Sequence, residues 1–172
     1  ELNDHTLNVV SSIEGEPALA VFSGGCVYLS GEGALNVTGP ARSYGVTVAS
    51  NTTTSVVTVT NATGIGTESK AAHAYNHASL TVLGDVTATG IGSFGVHAQT
   101  GAVVEVRGNV SAGNQGVCVS DAIAKVAGNI QSNGSDLIGN PEGIGVNVYD
   151  GTAEIGGNVT ANRVGAMIYA GG

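Results

Sequence analysis

The stretch LTVLGDVTATGIGSFGVHAQTGAVVEVRGNV, residues Leu80–Val110, decides the fold. Leu80-Thr81-Val82-Leu83-Gly84-Asp85-Val86 returns as Val104-Glu105-Val106-Arg107-Gly108-Asn109-Val110, 24 residues later. A fixed internal period of this size is the signature of a repeat architecture, in which one unit cannot bury its own apolar face and needs neighbours to do so. Between the two copies lies Gly95-Val96-His97-Ala98, whose alternation of apolar and polar residues is that of a half-buried strand.

Working outward, the same elements recur. Taking the second apolar residue of the first strand as an anchor gives Val37, Val59, Val82, Val106, Val126 and Ile155, separated by 22, 23, 24, 20 and 29 residues. The longest interval holds an insertion around Ser135–Glu142, SDLIGNPE, with Gly-Asn-Pro turn chemistry. A second strand recurs as Val27-Tyr28-Leu29, Val46-Thr47-Val48, Ala72-His73-Ala74, Val96-His97-Ala98, Val117-Cys118-Val119, Val146-Asn147-Val148 and Ala166-Met167-Ile168. A third and shorter one follows a Gly-Asx corner: Val86-Thr87-Ala88, Val110-Ser111-Ala112, Ile130-Gln131-Ser132 and Val159-Thr160-Ala161. The corner residues Asp85, Asn109, Asn129 and Asn158 align. Asn and Asp suit tight corners, and stacked Asn side chains hydrogen-bond along a ladder.

Two or three short strands per turn, stacked at about 4.8 Å, satisfy the backbone and bury the inward Val and Ala together. The chain therefore reads as all-β, a single-domain parallel β-helix of about six or seven rungs of 20–29 residues. Residues 1–26 are the least regular part, holding strands near Leu7–Val10 and Ala18–Phe22, and residues 27–172 carry the repeats. Turns of unequal size favour the right-handed form over left-handed hexapeptide helices.

GDVTATG, GNVSAG and GNVTAN, combined with GVHA, GVCV and GVNV, resemble the right-handed parallel β-helix (pectin-lyase-like) repeats of bacterial surface and autotransporter-like adhesins. The resemblance covers about Val27–Gly172 and is one of composition and architecture. It implies a bacterial secreted or cell-surface protein, a stalk or adhesin whose partners are a glycan or a host or cell-surface protein. No cofactor is implied. The last residues, Ala166–Gly172, still read as strand with no polar cap, so the expectation is a segment of a longer protein or a module open to end-to-end self-association.

Charge narrows the partners. A formal net charge of −8 with only five Lys and Arg is the wrong footprint for nucleic acid or an anionic membrane surface. No apolar run is long enough for a transmembrane helix. Cys26 and Cys118 have no metal-type spacing and are too few for a disulfide framework.

Chemistry concentrates on the second strand. One outward column would hold Tyr28, Thr47, His73, His97, Cys118, Asn147 and Met167, and the next Ser30, Ala49, Tyr75, Gln99, Ser120, Tyr149 and Tyr169. His73, His97 and Cys118 on successive rungs are the metal candidates, although no fourth ligand is evident. Tyr75, Tyr149 and Tyr169 beside Gln99 are candidates for contact with sugar or protein. The alternative reading is a polysaccharide lyase or hydrolase on the same scaffold. That chemistry needs paired carboxylates or an acid with Arg or Lys, whereas the acidic residues here are scattered. Glu105, Arg107, Lys125 and Glu154 read more simply as cross-strand charge pairs. Six Asn-X-Ser/Thr sequences, at Asn36, Asn51, Asn61, Asn109, Asn133 and Asn158, are mostly a by-product of the corner repeat.

Overall fold

The computed structural model describes residues 2, 4–29, 32–134 and 143–169. The insertion at Ser135–Glu142, Ser30 and the last three residues lie outside the described residues. All regular structure among them is strand. The first rung contains β1 (Thr6–Val10), β2 (Leu19–Phe22) and β3 (Cys26–Val27), and the second β4 (Ala34–Gly39), β5 (Tyr44–Ala49) and β6 (Val56–Val59). The third rung is β7 (Asn61–Gly64), β8 (Lys70–Tyr75) and β9 (Ser79–Val82), and the fourth β10 (Val86–Ala88), β11 (Phe94–Gln99) and β12 (Val103–Val106). Next come β13 (Val110–Ala112), β14 (Gln115–Ser120) and β15 (Ile123–Val126), then β16 (Ile130–Ser132), β17 (Ile144–Tyr149) and β18 (Thr152–Ile155). The chain closes on β19 (Val159–Ala161) and β20 (Val164–Tyr169).

Each strand pairs in parallel with its counterpart one rung on. The result is three sheets: sheet A (β1-β4-β7-β10-β13-β16-β19), sheet B (β2-β5-β8-β11-β14-β17-β20) and sheet C (β3-β6-β9-β12-β15-β18). This is a parallel β-solenoid of about six turns. The inward column of sheet A, Val9, Val37, Ala62, Val86, Val110, Ile130 and Val159, marks rungs of 28, 25, 24, 24, 20 and 29 residues.

Two sequence assignments shift by one sheet. Val37 pairs with Val9 and Ala62 in sheet A, whereas Val59, Val82, Val106, Val126 and Ile155 form one column of sheet C. Val27 pairs with Val57, which puts Val27-Tyr28-Leu29 at sheet C as well; Ala20 and Phe22 of β2 take the places expected for Tyr28 and Ser30. The cause is that sheets B and C share the same apolar-polar-apolar signature, so a two-residue alternation cannot say which face a strand joins.

The core is narrow. Val46, Ala72, Val96 and Val117 stack in sheet B, and Val57, Leu80, Val104 and Ala124 in sheet C, all at 0% exposure. Each fully buried valine contributes about 1.5–3 kcal/mol relative to an exposed one. Space at the corner between sheets A and B is tightest. A Cβ added at Gly116 would collide with Ile130 Cγ2, which explains the glycine that precedes so many sheet-B repeats.

The Asx ladder runs the length of the solenoid. Asn36 Nδ2 donates to Asn8 Oδ1 (2.9 Å) and Asn61 Nδ2 to Asn36 Oδ1 (2.9 Å). From there the backbone N–H groups donate: Asp85 to Asn61 Oδ1 (2.8 Å), Asn109 to Asp85 Oδ1 (2.7 Å), Asn129 to Asn109 Oδ1 (2.9 Å) and Asn158 to Asn129 Oδ1 (2.9 Å). The expected ladder of Asp85, Asn109, Asn129 and Asn158 is thus the upper part of a longer one. Asn36, Asn61, Asn109 and Asn158, four of the six Asn-X-Ser/Thr positions, are members of it.

Candidate functional site

The outer face of sheet B gathers His73, Tyr75, His97, Gln99, Cys118, Tyr149 and Tyr169. Three columns lie side by side. The first is Tyr44, Lys70, Phe94, Gln115 and Ile144; the second is Thr47, His73, His97, Cys118, Asn147 and Met167. The third contains Phe22, Ala49, Tyr75, and, further on, Gln99, Ser120, Tyr149 and Tyr169.

The middle column points outward yet is shielded. Thr47 is 4% exposed, His73 7%, Cys118 7% and Asn147 3%, because the long side chains of the flanking columns close over them. His73 sits at the centre of a ring stack, 4.8 Å from Tyr44, 5.0 Å from Tyr75 and 5.2 Å from His97 between ring centroids. Phe94 stacks on His97 at 5.4 Å. Two rungs beyond His97, Tyr149 and Tyr169 form a separate parallel pair at 4.7 Å. Rungs spaced at about 4.8 Å set this distance, so stacking is the geometry the scaffold imposes on any two rings in one column.

Hydrogen bonds fix His73 and leave His97 short. Thr47 Oγ1 lies 3.1 Å from His73 Nδ1, and His73 Nε2 lies 3.3 Å from Gln99 Oε1. With Gln99 Oε1 accepting, the proton sits on Nε2 and the Thr47 hydroxyl donates to Nδ1. His97 Nδ1 is buried with no partner, as is Asn147 Oδ1, while Asn147 Nδ2 donates to Gln115 Oε1 (3.1 Å).

Burial keeps the middle column neutral. It lowers His73 to about 4, opposed by the Gln99 hydrogen bond and helped by the nearby Lys70 ammonium. It lowers His97 to about 3, with His73 and Lys70 adding their repulsion. It raises Cys118 to about 11, with Lys70 pulling the other way. A thiol held protonated is neither a nucleophile nor a ready metal ligand. His73 already uses both ring nitrogens, and the lone pairs of stacked rings lie in parallel planes instead of converging. Among the described residues no group of three or more His, Cys, Asp and Glu side chains is placed to hold a metal ion. The two cysteines are free thiols, Cys26 exposed and Cys118 buried.

One charge stands on this face. Lys70 Nζ lies over the rings of Tyr44 (5.2 Å) and Phe94 (5.7 Å), one on each neighbouring rung. Desolvation lowers its pKa. Sequence reasoning gave Tyr44, Lys70 and Phe94 no place in the site; the signal for the two rings was the residue before Gly-Val, in Tyr44-Gly45-Val46 and Phe94-Gly95-Val96, and Lys70 before Ala71-Ala72 lacks it. None of the sheet-B strands contains Asp or Glu.

Glu14, Glu68, Glu105 and Glu154 lie off the sheet-B strands and pair with cations. Glu105 pairs with Arg107 (3.0 Å) and Glu154 with Lys125 (3.0 Å) around an open depression of about 360 Å³ on sheet C. Arg42 bridges Glu14 (3.1 Å) and Glu68 (3.7 Å) at the turns between sheets A and B. Comparison with protein-family models, with curated proteins and with solved structures finds no match.

Proposed function

We propose that this chain is a non-catalytic, rigid spacer and binding module of a bacterial secreted or cell-surface protein, contacting a glycan or another protein through the outer face of sheet B. The observation that carries the reading is the composition of that face: rings, amides and hydroxyls in register over several rungs, one ammonium and no carboxylate. Such a face offers hydrogen-bonding tips and apolar edges on a backbone fixed by ladder bonds at every rung, so little conformational entropy is lost on binding. It lacks the acid pair that sugar cleavage requires. The ring faces of His73 and the facing sides of Tyr149 and Tyr169 are already taken by one another. Contact is accordingly through ring edges, phenol hydroxyls and the Gln99 and Gln115 amides.

A glycan array and a panel of surface-protein extracts, each probed with the purified chain and with a Tyr75→Ala/Tyr149→Ala double variant, test this. Retention of the native chain that the double variant loses supports the reading. Retention that the double variant keeps moves the contact off sheet B, and release of shortened oligosaccharides would establish catalysis and overturn the non-catalytic assignment.

A further inference from the structure

We propose that Lys70 is the anchor of a carboxylate-reading socket on sheet B, and that the ligand it takes is an acidic side chain, Asp or Glu, within an apolar segment of a partner protein. The inference rests on the sheet-B contact reading and narrows it to one ligand chemistry.

The chain has five Lys and Arg side chains. Three of them, Arg42, Arg107 and Lys125, are in ion pairs with carboxylates. Arg163 carries no ion pair among the described residues and lies outside the sheet-B columns. Lys70 is the cation on the sheet-B face. It is half-buried, held between two ring systems, and no carboxylate among the described residues lies within ion-pair distance of it. Glu68, the nearest acid felt by Lys70, is turned to Arg42 at 3.7 Å.

An ammonium over aromatic faces keeps most of its capacity to bind an anion, since the rings stabilise it without neutralising it. Partial desolvation sharpens the effect, because a carboxylate arriving there meets a lower local dielectric than at an open lysine. The surroundings are selective as well. The imidazoles beside Lys70 are neutral, so one positive charge, and not a patch, is offered. Around it lie the Tyr44 and Phe94 rings, with the Gln115 amide on the rung beyond Phe94. A point cation rimmed by apolar rings matches a single carboxylate flanked by apolar groups, as in a protein segment. It does not match a chain carrying one anion per unit, because the rungs above and below Lys70 supply rings and no further cation. Aromatic anchors such as Tyr44 and Phe94 are also enriched at protein interfaces.

The test is a titration followed by NMR of the Tyr44 and Phe94 ring signals and the Lys70 side chain. The probes are the blocked tripeptides Leu-Glu-Leu and Leu-Gln-Leu and the oligosaccharide trigalacturonate, on the native chain and on K70M and K70R. Leu-Glu-Leu is expected to shift these signals saturably and about tenfold more tightly than Leu-Gln-Leu, a difference of about 1.4 kcal/mol. K70M should erase the preference and K70R should retain it, with unchanged strand content by circular dichroism. Equal response to the two peptides, or a preference that K70M keeps, overturns the socket while leaving a sheet-B contact standing. Tighter binding of trigalacturonate than of Leu-Glu-Leu overturns the protein-segment assignment in favour of an acidic glycan. No shift at sheet B with any probe overturns the socket; the array and extract experiment then decides separately whether sheet B binds anything.

Discussion

Two side-chain columns climb this solenoid at the same spacing and teach opposite lessons. The Asx column of sheet A is monotonous: Asn at six rungs and Asp at one, each bonded to the member before it. It is largely open to water. The middle column of sheet B changes residue at nearly every rung, is shielded from water, and leaves His97 Nδ1 and Asn147 Oδ1 without partners. Repetition is what a scaffold needs, since identical neighbours satisfy one another. Departure from repetition leaves buried polar atoms that no neighbouring rung satisfies.

The comparison breaks most severely where both columns share a support. Gly116 packs its bare Cα between the two sheets, and the Cβ of Gly116→Val would already collide with Ile130 Cγ2 and the Gly145 carbonyl oxygen. A loss of about 3 kcal/mol is expected by urea denaturation, with ladder and ring stack disrupted together.

Acid separates the columns next. His73 and His97 have folded-state values of about 4 and about 3, below the unfolded imidazole value. The unfolded chain therefore binds more protons than the folded chain between those limits, and stability rises with pH there. The contribution is complete above about pH 6.5 and is lost as pH falls toward 4 and 3. A thermal midpoint that is flat from pH 8 to 7 and then drops between pH 6 and 4 is the expected result. A His73→Phe/His97→Phe double variant should flatten that drop.

Single imidazole replacements sharpen the contrast within sheet B. His73→Phe keeps the ring stack but strands the buried Thr47 hydroxyl, at a cost of about 2 kcal/mol. The ladder variant Asn109→Ala removes an acceptor for Asn129 at an exposed site where water can substitute, so about 0.5–1 kcal/mol is expected. His97→Phe removes an unpartnered buried nitrogen while preserving the stack on His73 and Phe94, so its denaturation midpoint should be unchanged or slightly raised. If His97→Phe proved as costly as His73→Phe, His97 would have a partner of its own and the contrast between the two rings would fail.

What the sequence made legible follows from these physical differences. The period, the two or three short strands per rung and the upper ladder were readable because each is repeated, and repetition raises a weak local pattern above chance. The lower ladder was missed because Asn36 and Asn61 lack the Gly that marks Gly84-Asp85 and Gly108-Asn109. Val27-Tyr28-Leu29 was given to the wrong sheet because in sheet C it carries the same alternation as a sheet-B strand. His73, Tyr75, His97, Gln99, Cys118, Tyr149 and Tyr169 were correctly grouped on one face because register alone determines that. The burial of His73 was not readable. It depends on Tyr44, Lys70 and Phe94, three residues that look like corner positions until the backbone shows Tyr44 pairing with Lys70 and Lys70 with Phe94.

Every bond of the Asx ladder is donated by the later residue and accepted by the earlier one. The column therefore has a direction, and that direction is the order in which a chain is synthesised. Each arriving rung meets its acceptor already in place on the rung before it, so growth from the N-terminal end needs no partner that has yet to be synthesised. The ladder is a built-in sense of assembly: a template read once per turn, from the first turn to the last.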